Sequence, residues 1–76
     1  MINENDNEQR IKDKVNFFID EQVKVHVKLK DKTFLNGIIL KKLREDPSNV
    51  YWFKDNKFGE VYLFLKDIYD LEEMKI

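Results

Sequence analysis

His26 is the single histidine of this chain and cysteine is absent, so the side chains on which nucleophilic and metal chemistry most often rest are nearly missing. No Ser/His/Asp or Cys/His set can be assembled, and no glycine-rich phosphate loop is present. His26 stands between lysines on an alternating segment and reads as solvent-facing. One histidine cannot hold a metal without several well-placed carboxylates. The acids Glu72, Glu73, Asp67 and Asp70 read as a solvated C-terminal edge rather than acid/base pairs. The expectation is a protein with no catalytic residue, no metal and no cofactor.

A different chemistry is better supplied. Single-stranded nucleic acid needs cations that follow phosphates and aromatic faces on which bases stack, and the chain offers Lys24, Lys28, Lys30, Lys41, Lys42 and Arg44 alongside Tyr51, Trp52 and Tyr69. The cations are unevenly spread. Residues 1–21 carry a net charge of −3, residues 22–44 of +6 and residues 45–76 of −4, within a total of −1. A basic central block can make a local patch that the total conceals, or it can be the wet face of a strand. Trp52, lying in an apolar strand, reads as core, and Tyr69 as the exposed aromatic. The flanking Asp67 and Asp70 make the surroundings of Tyr69 unfavourable to phosphate.

The elements that would position these groups follow from periodicity. Ile11, Val15, Phe18 and Ile19 recur on one helical face, and Asp6 with Gln9 resembles a capping box, which predicts a helix over 6–20 after a flexible tail of residues 1–5. Phe17 lies off that stripe and is either a second contact with the barrel or an edge that meets a neighbour. From Val23 to Leu29 the period becomes two, giving a strand with one buried and one basic face. Asp31 and Lys32 reverse the chain into a long strand over 33–43, where Gly37 is read as the bend of a small barrel, since a glycine weakens a strand unless the backbone must bend sharply or pack closely. A polar turn from Arg44 to Ser48 leads to Val50–Phe53, a second turn spans Lys54–Gly59 with Asn56 and Gly59 able to take positive φ, and Val61–Leu65 and a short strand carrying Ile68 and Leu71 complete the chain. The fold class expected is mainly β with one N-terminal helix: a small, strongly bent, five-stranded antiparallel barrel over 22–74.

Seventy-six residues leave room for one core, and a composition 42% hydrophobic and 38% charged suits a folded domain rather than a disordered or membrane chain. No apolar run approaches the roughly 18 residues of a membrane span, and the N-terminal stretch MINENDNEQR is acidic and polar, so the chain reads as cytoplasmic. So short a chain, without disulfide or metal, is expected to gain stability by self-association. The last two long strands are apolar at every position, so both faces should be covered, the outer one by the helix or by another subunit.

With these elements in place the chain resembles the Sm-like (LSm/Hfq-like) family. Val23 to Asp31 as V-x-V-x-V-x-L-K-D, Gly37 in mid-strand and Asn49 leading Val50-Tyr51 look like the first Sm motif, and L-K-D-I-Y-D-L from Leu65 to Leu71 looks like the end of the second. The resemblance spans about residues 7–74. It implies a ring of six or seven copies in which the fourth strand of one barrel pairs with the fifth of the next, through Val61, Tyr62, Leu63, Phe64, Leu65 and Ile68. It further implies a pore lined by the loops after the second and fourth strands, where uridine- or adenine-rich RNA is held. By position, Asn49 becomes the base-contacting asparagine and Lys66 stands in the loop before the last strand, with Asp46, Arg44, Lys24, Lys28 and Lys41 as further RNA-contact candidates. The Arg-Gly of the second Sm motif and the Tyr-Lys-His of Hfq are absent; the corresponding stretch is Phe64-Leu65-Lys66. The expected partners are therefore the chain itself and single-stranded RNA, with binding to a protein partner or assembly of a larger complex as the alternatives.

Overall fold

A computed structural model describes residues 4–45 and 48–74. In chain order the elements are α1 (Glu4–Glu21), β1 (Val25–Leu29), β2 (Phe34–Arg44), β3 (Val50–Asp55), β4 (Gly59–Phe64), a single 3-10 turn (Leu65–Asp67) and β5 (Ile68–Glu73). The strands form one antiparallel sheet in the order β4-β3-β2-β1-β5, which leaves β4 and β5 at its two edges.

The apolar stripe of α1 does what its spacing predicts. Ile11, Val15 and Phe18 are buried, Ile19 packs at the margin of the same core, and the helix lies on β5, β2 and the 3-10 turn. Phe17 stays 56% exposed with its ring edge-on to Phe18 at 5.5 Å. The helix begins at Glu4, earlier than expected, so positions 4 and 5 are helical and position 6 lies inside the first turn rather than ahead of it. Gln9 Nε2 donates to Asp13 Oδ1 at 3.0 Å, one turn onward. At the other end Gln22 takes a left-handed conformation, φ 52°, and closes the helix with its backbone N–H on Phe18 O. The Gln22 side chain donates to Ile19 O at 2.7 Å and to Ile39 O at 3.1 Å, which ties the helix end to β2.

That left-handed step delays β1 to Val25, whose alternation buries Val25 and Val27 and leaves Lys28 outside. Gly37 of β2 pairs with both Val25 and Asp55. A Cβ there would sit 1.8 Å from the Lys54 carbonyl oxygen, so the position requires glycine for close approach of backbone. Gly37 is therefore not the bend expected of it: bending comes further along β2, where the register against β3 shifts between Ile39 and Lys41 and again between Lys42 and Arg44. The inner faces of β2, β3 and β4 then deliver Ile39, Tyr51, Phe53 and Leu63 to the core that α1 caps.

Asp55 closes β3 rather than opening the following turn. It is 5% exposed, and its Oδ1 accepts from Asn36 N at 3.0 Å while Oδ2 accepts from Lys57 N and Phe58 N at 2.8 and 2.7 Å. Burial pushes its carboxyl up, and the three backbone N–H donors more than offset that, leaving it below the usual carboxylate range. Gly59 alone in this turn takes positive φ, 80°; Asn56 does not.

Candidate functional site

The β2–β3 connection and the 3-10 turn meet at one end of the barrel. Asn49, 5% exposed, accepts the Leu65 backbone N–H on its carbonyl oxygen at 3.1 Å, which fixes the two segments against each other. Beside this bond lies a cavity of about 200 Å³ lined by Arg44, Ser48, Asn49, Phe64, Leu65 and Lys66, with Glu8 of α1 also on its wall. A guanidinium, an amide, an ammonium and an aromatic ring thus share a small recess, a donor-rich set suited to a base edge and a phosphate. Asp46, the other residue expected here, lies outside the described residues.

The remaining basic candidates do not join this cavity. Lys28 lines a larger recess of about 590 Å³ together with Lys30, Lys32, Phe34, Leu29 and Tyr69. His26 is on its wall and is half-buried, not solvent-facing as the alternation suggested: its Nδ1–H donates to Asn36 Oδ1 at 2.6 Å and its ring lies 5.2 Å from that of Phe34. Lys24 stands ahead of β1, whose neighbour β5 there carries Glu72 and Glu73. Lys41 stands over Trp52, its Nζ 5.9 Å from the ring centroid. The basic block is divided among several places instead of forming one patch.

The acids are also more structured than a solvated edge. Asp70 Oδ1 accepts from Lys14 Nζ at 2.9 Å and from Leu71 N at 2.8 Å, with Arg10 Nη1 at 3.8 Å, so it anchors α1 to β5. Burial raises its carboxyl, and the Lys14 hydrogen bond leads the interactions that bring it below the usual range. Asp31 accepts from the backbone and hydroxyl of Thr33, which lowers its carboxyl and holds the β1–β2 turn where Lys32 takes φ 74°. Among the described residues no group of three or more His, Cys, Asp or Glu side chains could hold a metal ion.

Of the side chains expected at a subunit contact, Leu63, Leu65 and Ile68 belong to the barrel's own core, each 3% exposed or less. Val61 is partly buried against it. Tyr62 and Phe64 point outward, 70% and 41% exposed. Of the two covers expected for the outer face of β4, α1 is not the one: it lies on β5, β2 and the 3-10 turn, and in the single chain that face is open. The roles of Asp55 and Phe34 are not legible in the sequence, whereas the outer face of β4 is. Only the absence of any polar residue between Val61 and Leu65 pointed toward it.

This architecture has a solved counterpart. The chain is similar to the crystal structure of XC5848 from Xanthomonas campestris, described as adopting a novel variant of Sm-like motif, with a TM-score of 0.66 over 99% of this chain and 91% of that one, at 11% sequence identity. The fold is Sm-like: mainly β, one N-terminal helix and five antiparallel strands in one sheet. No family model matches the sequence, and no curated protein matches it. Among the described residues no helix is long and apolar enough to cross a membrane.

Proposed function

We propose that this chain is a non-catalytic Sm-like protein that assembles into a ring in the cytoplasm and binds single-stranded uridine- or adenine-rich RNA. One observation carries the reading: Arg44, Asn49 and Lys66, separated by up to 22 positions in sequence, line one recess held together by the Asn49–Leu65 backbone bond. In this reading the Asn49 amide takes a base edge while Arg44 and Lys66 take phosphate. Two open edge strands of different composition, β4 and β5, suit head-to-tail pairing of copies.

Light scattering and titration with fluorescent oligouridylate and oligoadenylate test it. The expected result is a particle of roughly 50–70 kDa, six or seven copies of a 9.3 kDa chain, that binds RNA with strong salt dependence and loses affinity on Lys66→Ala. A stable monomer removes the ring. Absence of binding at low salt removes RNA and leaves the second reading, a protein-contact module, which the outward Tyr62 and Phe64 favour.

A further inference from the structure

The register of β2, β3 and β4 sets side chains of their outer faces in rows. Trp52 is directly opposite Tyr62 on one side and Lys41 on the other; Val50 is opposite Phe64 and Arg44; Lys54 is opposite Glu60 and Ile38. Residues paired across antiparallel strands project to the same side of the sheet, with Cβ atoms roughly 5 Å apart. Tyr62 and Phe64, two residues apart on the edge strand, are roughly 6.5 Å from each other along it. Three aromatic rings therefore share one open face, bordered by cations on β2 and β3.

We propose that this outer face of β2–β3–β4 is a stacking platform for single-stranded nucleic acid, distinct from the Arg44–Asn49–Lys66 recess and adjoining it at Phe64. Trp52, Tyr62 and Phe64 receive bases, and Lys41 and Lys54 receive phosphates. Charge is what selects this occupant over a protein segment. Among the described residues neither Lys41 nor Lys54 forms an ion pair, and the nearest partner of Lys41 is the Trp52 ring itself. The one acid in these rows, Glu60, lines a recess with Trp52 and Tyr62 and stands opposite Lys54, so Lys41 and Arg44 carry the excess positive charge of the face. The exposed rings of Tyr62 and Phe64, the half-buried ring of Trp52 and the cation Lys41 beside it meet both demands of a base-bearing polyanion, and stacking accepts any base because every base has a π-face.

Trp52 is the only tryptophan of the chain, so its emission reports on the face directly. The full chain is titrated with oligouridylate and oligoadenylate, with inorganic polyphosphate as a base-free polyanion, while anisotropy of labelled oligonucleotide gives affinity separately. Both oligonucleotides are expected to quench Trp52 and polyphosphate to leave it bright. Tyr62→Ala is expected to weaken binding roughly 5- to 100-fold, the loss of one stacked base. Lys41→Ala is expected to reduce the slope of log affinity against log salt by about one. Tyr62 is largely exposed, so its replacement leaves the fold intact. If oligonucleotide binds with unchanged Trp52 emission, or Tyr62→Ala is neutral while Lys66→Ala abolishes binding, the platform is overturned and the recess stands. If Tyr62→Ala weakens binding and Lys66→Ala does not, the platform stands and the recess reading fails. Dissociation of an oligomer by Tyr62→Ala with affinity per chain unchanged makes the face a contact between copies and overturns the proposal, as does the absence of any oligonucleotide binding at low salt.

Discussion

Gly37 of β2 and Lys54 of β3 approach so closely that the Lys54 carbonyl oxygen occupies the space a side chain on Gly37 would need, 1.8 Å from an added Cβ. The obstruction is backbone held in a ladder, with Gly37 paired to Val25 on one side and Asp55 on the other, and cannot swing away. Gly37→Ala is expected to cost at least about 2 kcal/mol, the upper range of overpacked sites. Urea denaturation followed by circular dichroism measures it; a loss under 0.5 kcal/mol would show that the strands separate freely.

Asp55 holds three backbone N–H groups at the end of β3. Asp55→Ala leaves those donors without their acceptor and is expected to cost about 2–3 kcal/mol. Because the folded carboxyl is depressed, its stabilisation is complete above the unfolded value and is lost as pH falls through the folded one. Asp31 and Asp70 are shifted in the same direction. Thermal stability should therefore fall below about pH 4, and Asp55→Asn should flatten that part of the profile. An unchanged profile in the variant would assign the acid sensitivity elsewhere.

The ion pair between Lys14 and Asp70 joins helix to edge strand, but both side chains are more than a third exposed. Screening limits such a pair to about 1 kcal/mol or less. A double-mutant cycle with Lys14→Met and Asp70→Asn should return a coupling in that range, shrinking as salt is raised. Coupling well above it would mean that the pair is more enclosed than its exposure suggests.

Adjacent phenylalanines offer a sharper contrast. Phe18 is 8% exposed and Phe17 56%. Phe18→Ala is expected to cost about 3–5 kcal/mol and Phe17→Ala no more than about 1 kcal/mol, read from denaturation midpoints. Comparable losses would indicate that Phe17 is covered by another molecule in solution.

These residues also mark what was legible in advance. The helical stripe through Ile11, Val15 and Phe18 and the alternation of β1 follow from spacing, because each reflects a single buried face; Gly37 is legible as a special backbone position but not as a close approach, and Asn49 is placed by the family resemblance. Position 6 misled as a start signal, since the helix is already under way at Glu4. From sequence Asp55 reads as part of a polar turn, because one of its partners, Asn36, lies on another strand, 19 residues away. The division of the lysines could not be read either: alternation assigns a face, while the bulges of β2 decide which direction that face turns. Of the described RNA-contact candidates, Arg44, Asn49 and Lys66 share a recess, because that grouping depends on two loops folding together.

The sheet ends on two unlike strands, β4 with Tyr62 and Phe64 outward and β5 with acidic Glu72 and Glu73. An edge that accepts only its opposite adds copies in one direction and leaves the same opposite edge free on the newest copy. Growth of that kind stops only where the rotation per copy divides a full turn, and otherwise continues as a filament. In the proposed assembly, the bulges that bend β2 between Ile39 and Arg44 therefore bear on more than the shape of one barrel. By fixing the angle between the two edges, they would decide between a closed, countable particle and an open polymer.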